Sequence, residues 1–307
     1  MKTVLANAQY EVAVTAPYRL DLTVSVLRRL STNIVDVLTP QGHYVRALGG
    51  FDNPIIVRVE QQRLATLTAT IEGQIADHPR ALTILRRMLG VDRELSYFDH
   101  AATSIPWLGP LALRMRGVKP PRYPSLWEAC VNAIVFQQVS LVAASSILRR
   151  LILALGTPIK CGDLVLWKFP GIESFTDAGD DVLRAAGLST NKLAALRRVA
   201  DALLSGRFDE AALEERPSPD AAALLCQIKG IGPWTATVIL LRGLGRLDVF
   251  PMNDSSVARN LTAVAGPVPL DIDQVLSALG AQRGMLYYHL LLARLEARGD
   301  VGRASVR

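Results

Sequence analysis

The stretch Leu225-Cys226-Gln227-Ile228-Lys229-Gly230-Ile231-Gly232-Pro233-Trp234-Thr235-Ala236 decides how the rest of this chain is read. It has the pattern of two helices joined by a hairpin whose glycines expose backbone N–H groups. Gly230 and Gly232 lack the Cβ that would block a tight turn or the close approach of a sugar-phosphate backbone. The apolar run Thr235–Leu241 then starts a helix whose N-terminus favours an anion, so a phosphate suits this hairpin. Twenty residues beyond Trp234, at the end of Asp248-Val249-Phe250-Pro251-Met252-Asn253-Asp254, comes an acidic side chain.

The 307 residues are 50% hydrophobic and 20% charged, the balance of a globular chain with a large core and two or three subdomains. A formal charge of +6, from 34 Lys and Arg against 28 Asp and Glu, favours a polyanionic partner without identifying one. Cys130, Cys161 and Cys226 lie far apart, with no spacing that holds zinc or builds a disulfide framework; they are expected to be reduced, buried and inert. His43, His78, His100 and His289 are equally scattered, so no metal site is expected. Met1–Tyr10 lacks a positive region followed by an apolar core, and no stretch reaches the roughly 18 apolar residues of a membrane span. A cytosolic protein with no membrane association is the expectation.

Working outward from the hairpin, the chain divides near residue 117. Residues 11–15, 33–38, 42–48 and 55–60 have strand character and are separated by turns such as Leu48-Gly49-Gly50-Phe51-Asp52. Leu20–Leu30 instead has helical spacing, with Leu22, Val26, Leu27 and Leu30 on one face. The proline-rich Gly117–Pro124 must be largely extended and marks a boundary. Beyond it every element is expected to be helical: 125–137, 140–155, 180–186, 191–204, 219–227, 235–241, 254–264, 271–279 and 284–298. Ser125 is the expected N-cap of the first, with Glu128 placed to complete a capping box. The expected class is α+β, a small antiparallel-sheet domain over 1–116 followed by an all-α domain over 117–307.

The hairpin, the spacer and Asp254 together resemble the helix-hairpin-helix DNA glycosylases, in the branch of the 3-methyladenine DNA glycosylase II enzymes. The resemblance covers Pro120–Arg298 and, more loosely, the first 115 residues. It implies a glycosylase domain in the helical half, and an essential aspartate at Asp254 that stabilises the positive charge left on deoxyribose when the N-glycosidic bond breaks. Asp254 is equally well placed to cap the helix that follows it. Relatives that also nick the strand carry a lysine where this chain has Trp234, which implies a monofunctional enzyme without Schiff-base chemistry. Some relatives hold an iron–sulfur cluster on four cysteines, one more than this chain possesses.

Ala133–Ser140 resembles the segment with which such enzymes plug the duplex after turning a nucleotide out, which makes Gln138 the wedge where the best-known branch has leucine. Gln137 and Gln138 also read as ordinary polar residues ending a helix. Trp234 is the leading aromatic for an electron-poor alkylated base, with Phe136, Trp127 and Tyr287 behind it, each of which also reads as core. Tyr288 is a weaker candidate still. Val238 stands where related enzymes have tyrosine. DNA contacts are expected from Gln137, Gln138, Lys229, Gly230, Ile231, Gly232, Thr235 and Arg259. Arg242 is a further flanking cation, and Arg149-Arg150 and Arg197-Arg198 read as DNA contacts or as solvated helix faces. The resemblance thus implies a monomeric base-excision enzyme, without metal or organic cofactor, that removes 3-methyladenine and similar alkylated purines from double-stranded DNA. Two alternatives are a deaminated base such as hypoxanthine as substrate, and a non-catalytic binder of damaged DNA.

Overall fold

A computed structural model describes residues 5–252, 254–266 and 270–302; the ends of the expected domains at 1–4 and 303–307, and Asn253, lie outside the described residues. The chain opens with β1 (Leu5–Ala13) and α1 (Leu20–Arg28). It continues through β2 (Val37–Leu38), β3 (Tyr44–Leu48), β4 (Ile55–Arg63) and β5 (Thr66–Gln74), then α2 (His78–Leu89), α3 (Ser96–Thr103) and α4 (Gly109–Arg114). The five strands form one antiparallel sheet in the order β1-β5-β4-β3-β2. Alternation along β5 buries Leu67, Ala69 and Ile71 on one face, where Val24 and Leu27 of α1 and Leu85 and Met88 of α2 cover them. The sequence points to strand character as far as about residue 71 and to one or two helices in this half; the structure has four helices.

After the extended segment 118–123 the chain forms α5 (Leu126–Val135), α6 (Leu141–Leu155), β6 (Thr157–Cys161), β7 (Leu164–Lys168), α7 (Ile172–Asp177), α8 (Asp180–Ala185) and α9 (Thr190–Leu204). It ends with α10 (Glu210–Glu214), α11 (Ser218–Cys226), α12 (Pro233–Gly243), α13 (Ser255–Ala265), α14 (Ile272–Leu279) and α15 (Met285–Ala297). The fold is α+β, as expected, but the second half is not all helical. β6 and β7 make a hairpin whose turn uses Gly162 at φ 58. Cys161 and Leu166 pack on Val45, Ala47 and Ile56, so this hairpin covers the outer face of the N-terminal sheet. A sheet with one face bare would expose apolar surface, which the inserted hairpin removes.

α5 is buried along its whole length and sits at the centre, against α9 and α12. Gly243 allows the close contact with α12, because a Cβ there would stand 2.8 Å from that of Ala129. Ser125 Oγ accepts the Glu128 N–H at 3.2 Å, but the Glu128 carboxylate turns away from the expected capping box to Arg46. A second apolar cluster runs from Leu22 and Val26 through α3 and α4 to Leu286–Leu295 of α15. The segment at 117 therefore changes the chain's course without dividing its core.

Candidate nucleic-acid interface and base cleft

The hairpin expected between two helices is the turn from α11 to α12. Gly230 has φ 108, and a Cβ on it would stand 2.5 Å from the Cβ of Ala195 in α9. Gly232 is different: its φ of −93 suits any residue, and open space lies where its Cβ would be. Lys229, Gly230, Gly232 and Pro233 are exposed, and Gly232 is the N-cap of α12, so the positive end of that helix faces solvent. Ile231 is buried and packs inward, holding the turn to the core.

In the first turn of α12, the Trp234 indole N–H donates to Asp254 Oδ2 at 2.8 Å. Asp254 Oδ1 accepts the Val257 N–H at 3.2 Å and caps α13. The two readings of Asp254 left open by the sequence are thus both physically available to one side chain: it caps a helix, and it lines a cleft. That cleft encloses about 590 Å³ and is lined by Arg29, Phe136, Val139, Trp234, Val238, Asp254, Val257, Asn260, Tyr287 and Arg294, among others.

Residues 131–270, which contain the hairpin, Trp234 and Asp254, match the HhH-GPD superfamily of base excision DNA repair proteins. This stretch of the chain carries a likeness to that superfamily. The chain is 28% identical over 171 residues to the DNA-3-methyladenine glycosylase of Bacillus subtilis, covering 56% of each chain. It is 31% identical over 195 residues to the probable bifunctional transcriptional activator/DNA repair enzyme AlkA of Mycobacterium tuberculosis, covering 58% of this chain and 38% of that one. The chain therefore spans about half the length, or less, of these curated relatives. A solved 3-methyladenine DNA-glycosylase from Archaeoglobus fulgidus shares the fold, with a TM-score of 0.76 at 23% identity, over 92% of this chain and 97% of that one.

Around the hairpin, the structure separates residues that the sequence grouped together. Phe136, Trp234 and Tyr287 line the cleft, but Trp127 does not. Only 6% of Trp127 is exposed; its indole donates to the Pro170 carbonyl at 3.0 Å and its ring meets Phe175 edge-on at 5.2 Å. It is a core residue because its position on α5 faces α7. Tyr288 is also core, its hydroxyl donating to the Leu241 carbonyl at 3.0 Å. Thr235 is buried, and its hydroxyl accepts from the Gln137 amide at 2.7 Å, while the same amide donates to the Gly230 carbonyl at 3.0 Å. Gln137 and Thr235 thus tie the loop after α5 to the hairpin. Ile231, at 4% exposure, offers DNA no side chain.

Gln138 stands exposed at the tip of that loop with φ 54. It and Arg29, at φ 61, are the non-glycine residues with positive φ among the described residues; Arg29 lines the cleft, and Gln138 lies in the chain between the lining residues Phe136 and Val139. Strained backbone of this kind persists only where surrounding structure enforces it, and it gathers at functional sites. Arg259 is exposed on α13. Arg242 is buried, donating to the Val26 carbonyl at 3.1 Å beneath the Tyr123 ring, so it cannot meet phosphate. Arg150 and Arg197 close on the carbonyls of Ala186 and of Phe175, Thr176 and Ala178, holding helix ends together.

Arg29, Val139, Asn260 and Arg294 are cleft residues that sequence reasoning missed. Arg29 and Arg294 come from α1 and α15, far from the hairpin in sequence, and no motif marked them. As for the cysteines, Cys130 is buried and its thiol is pushed up to about 12 by burial, which keeps it inert; Cys226 is half-buried. No helix among the described residues is long and apolar enough to cross a membrane.

Proposed function

We propose that this chain is a DNA glycosylase of base-excision repair that hydrolyses the N-glycosidic bond of alkylated purines, 3-methyladenine first, in double-stranded DNA. The single observation that carries the reading is Asp254, held by the Trp234 indole at 2.8 Å in the wall of a cleft beside the hairpin. When a base turned out of the duplex occupies the cleft, breaking its bond to C1′ leaves positive charge on the deoxyribose. A carboxylate there stabilises that charge and accepts the proton of the attacking water. The exposed α12 N-terminus and the Gly230 turn hold a backbone phosphate beside the lesion. Gln138, presented by its left-handed backbone, enters the gap left in the stack.

The reaction ends at an abasic site. A strand-nicking step needs an amine at the sugar, position 234 is an indole, and the cleft residues described include no lysine. The names of the curated relatives support the substrate class. The decisive experiment incubates the protein with methylated genomic DNA and identifies released bases by chromatography. Release of 3-methyladenine by the parent, with a loss on the order of 1,000-fold in Asp254→Asn, is the expected outcome; release of no base by the parent makes the protein a binder of damaged DNA. Borohydride trapping of a covalent DNA adduct would refute the monofunctional assignment.

A further inference from the structure

Arg29 ends α1 and is 5% exposed, the most deeply buried charged side chain in the cleft wall. Its guanidinium carbon lies 3.6 Å from the centroid of the Phe136 ring, and its Nη1 has no hydrogen-bond partner. Burial pulls its pKa below the usual arginine range; Tyr123 and Tyr287 favour its charge, and Arg242, a second buried cation, opposes it. Holding a buried guanidinium beside another cation is costly. A cleft meant only to attract cationic bases gains nothing from it, because the guanidinium repels them and already occupies a face of the Phe136 ring.

Resting on the glycosylase reading, we propose that Arg29 contacts the everted base and stabilises it as a leaving group, so that the cleft processes neutral purine adducts as well as cationic ones. Heterolysis of the C1′–N bond sends the bonding electron pair to the base nitrogen and leaves the positive charge on the deoxyribose. A cationic N-alkylpurine departs as a neutral base. A neutral purine departs as an anion that then takes a proton from solvent. In both cases water adds its oxygen to C1′ and gives up one proton, through Asp254, to solvent. The base becomes more negative by one unit charge either way, so attraction to the guanidinium grows only as the bond breaks. A neutral adduct, whose anion is the poorer leaving group, depends on Arg29 most. A cationic adduct is repelled in the ground state, a penalty that disappears on departure.

The test is single-turnover release from duplexes carrying either ethenoadenine, which is neutral, or 3-methyladenine, which is cationic while attached to the sugar. Arg29→Gln is expected to lose on the order of 100-fold on the neutral adduct, to lose less than a tenth of that factor on the cationic one, and to bind the cationic duplex more tightly. Arg29→Lys, which keeps the charge, is expected to recover most of the neutral-adduct rate. Equal losses on both adducts in Arg29→Gln, which a packing defect produces, overturn the proposal; so does a parent that releases 3-methyladenine but never ethenoadenine. If thermal unfolding shows Arg29→Gln to be unfolded, Arg29→Lys decides: a retained preference between the adducts supports the leaving-group contact and an equal loss on both refutes it. A parent that releases neither base, and matches Asp254→Asn, refutes the glycosylase reading instead.

Discussion

His289 shows how much a single position is governed by its surroundings. Nothing near it in sequence suggests a special environment, yet its ring is buried, lies 4.6 Å from Phe98 and bonds the Met285 carbonyl at 2.8 Å. Burial lowers its pKa from 6.5 to about 4. Above pH 6.5 the ring is neutral in both folded and unfolded chains. As pH falls from 6.5 toward about 4, the unfolded chain takes up the proton first, so stability is lost, by about 3 kcal/mol at full extent. Urea unfolding across that interval is expected to show a shallower pH dependence in His289→Gln than in the parent. Asp254 and Trp234 lie at the opposite extreme: their spacing in the chain already marked them, because both belong to one local unit of hairpin, helix and loop. Trp127, in the first turn of α5, was a weaker candidate aromatic in the sequence, and packing against Phe175 removes it from the site.

At the scale of the element, the two hairpin glycines separate into two physical roles. Gly230 is required by backbone and neighbours: φ is 108 and the Ala195 Cβ stands where a methyl would go. Gly230→Ala is expected to destabilise the fold by about 1–3 kcal/mol from backbone strain, with the clash added to it, as measured by denaturant unfolding. Gly232→Ala is expected to stay within about 1 kcal/mol of the parent, because space is open there. On the proposed phosphate contact at the α12 N-terminus, its added methyl stands in the way, so affinity for duplex DNA should fall several-fold with the melting temperature nearly unchanged. A fall in melting temperature without loss of affinity would contradict that division. The turn was legible in Gly-Ile-Gly-Pro; which glycine served the fold and which left room for a ligand was not, since the distinction depends on α9. The β6–β7 hairpin was also written locally, in Cys161-Gly162-Asp163-Leu164 between apolar runs, but expecting only helices after residue 117 concealed it.

Across the whole molecule, Arg46 joins the sheet to the central helix. From β3 it reaches Asp36 at 2.6 Å and Glu128 of α5 at 2.5 Å, and Tyr44 donates to Asp36 at 2.8 Å. Burial opposes the Arg46 charge, but Asp36 and Glu128 together hold its pKa well above the ordinary range. Arg46→Met leaves two buried carboxylates unpaired and is expected to cost about 3–5 kcal/mol in urea unfolding; a change under 1 kcal/mol would show that the carboxylates find other partners. The same α5 leads into the loop that carries Phe136, which lines the cleft, and Gln137 and Gln138, so this anchor fixes that loop relative to the sheet. α1 also serves the site from the first half of the chain, and the apolar cluster joining α1, α3, α4 and α15 carries Arg29 to the cleft wall.

The sequence by itself determined the α+β class, the hairpin, the aspartate and the loop bearing Gln138, because each is written in residues close together in the chain and follows from local backbone preferences and spacing. Tertiary structure alone decided that Arg29 and Arg294 reach the cleft, that Gln137 ties loop to hairpin, and that Trp127, Ile231 and Arg242 turn inward. Those outcomes depend on which helix faces are buried against one another, and burial is a property of the assembled core that no single segment encodes.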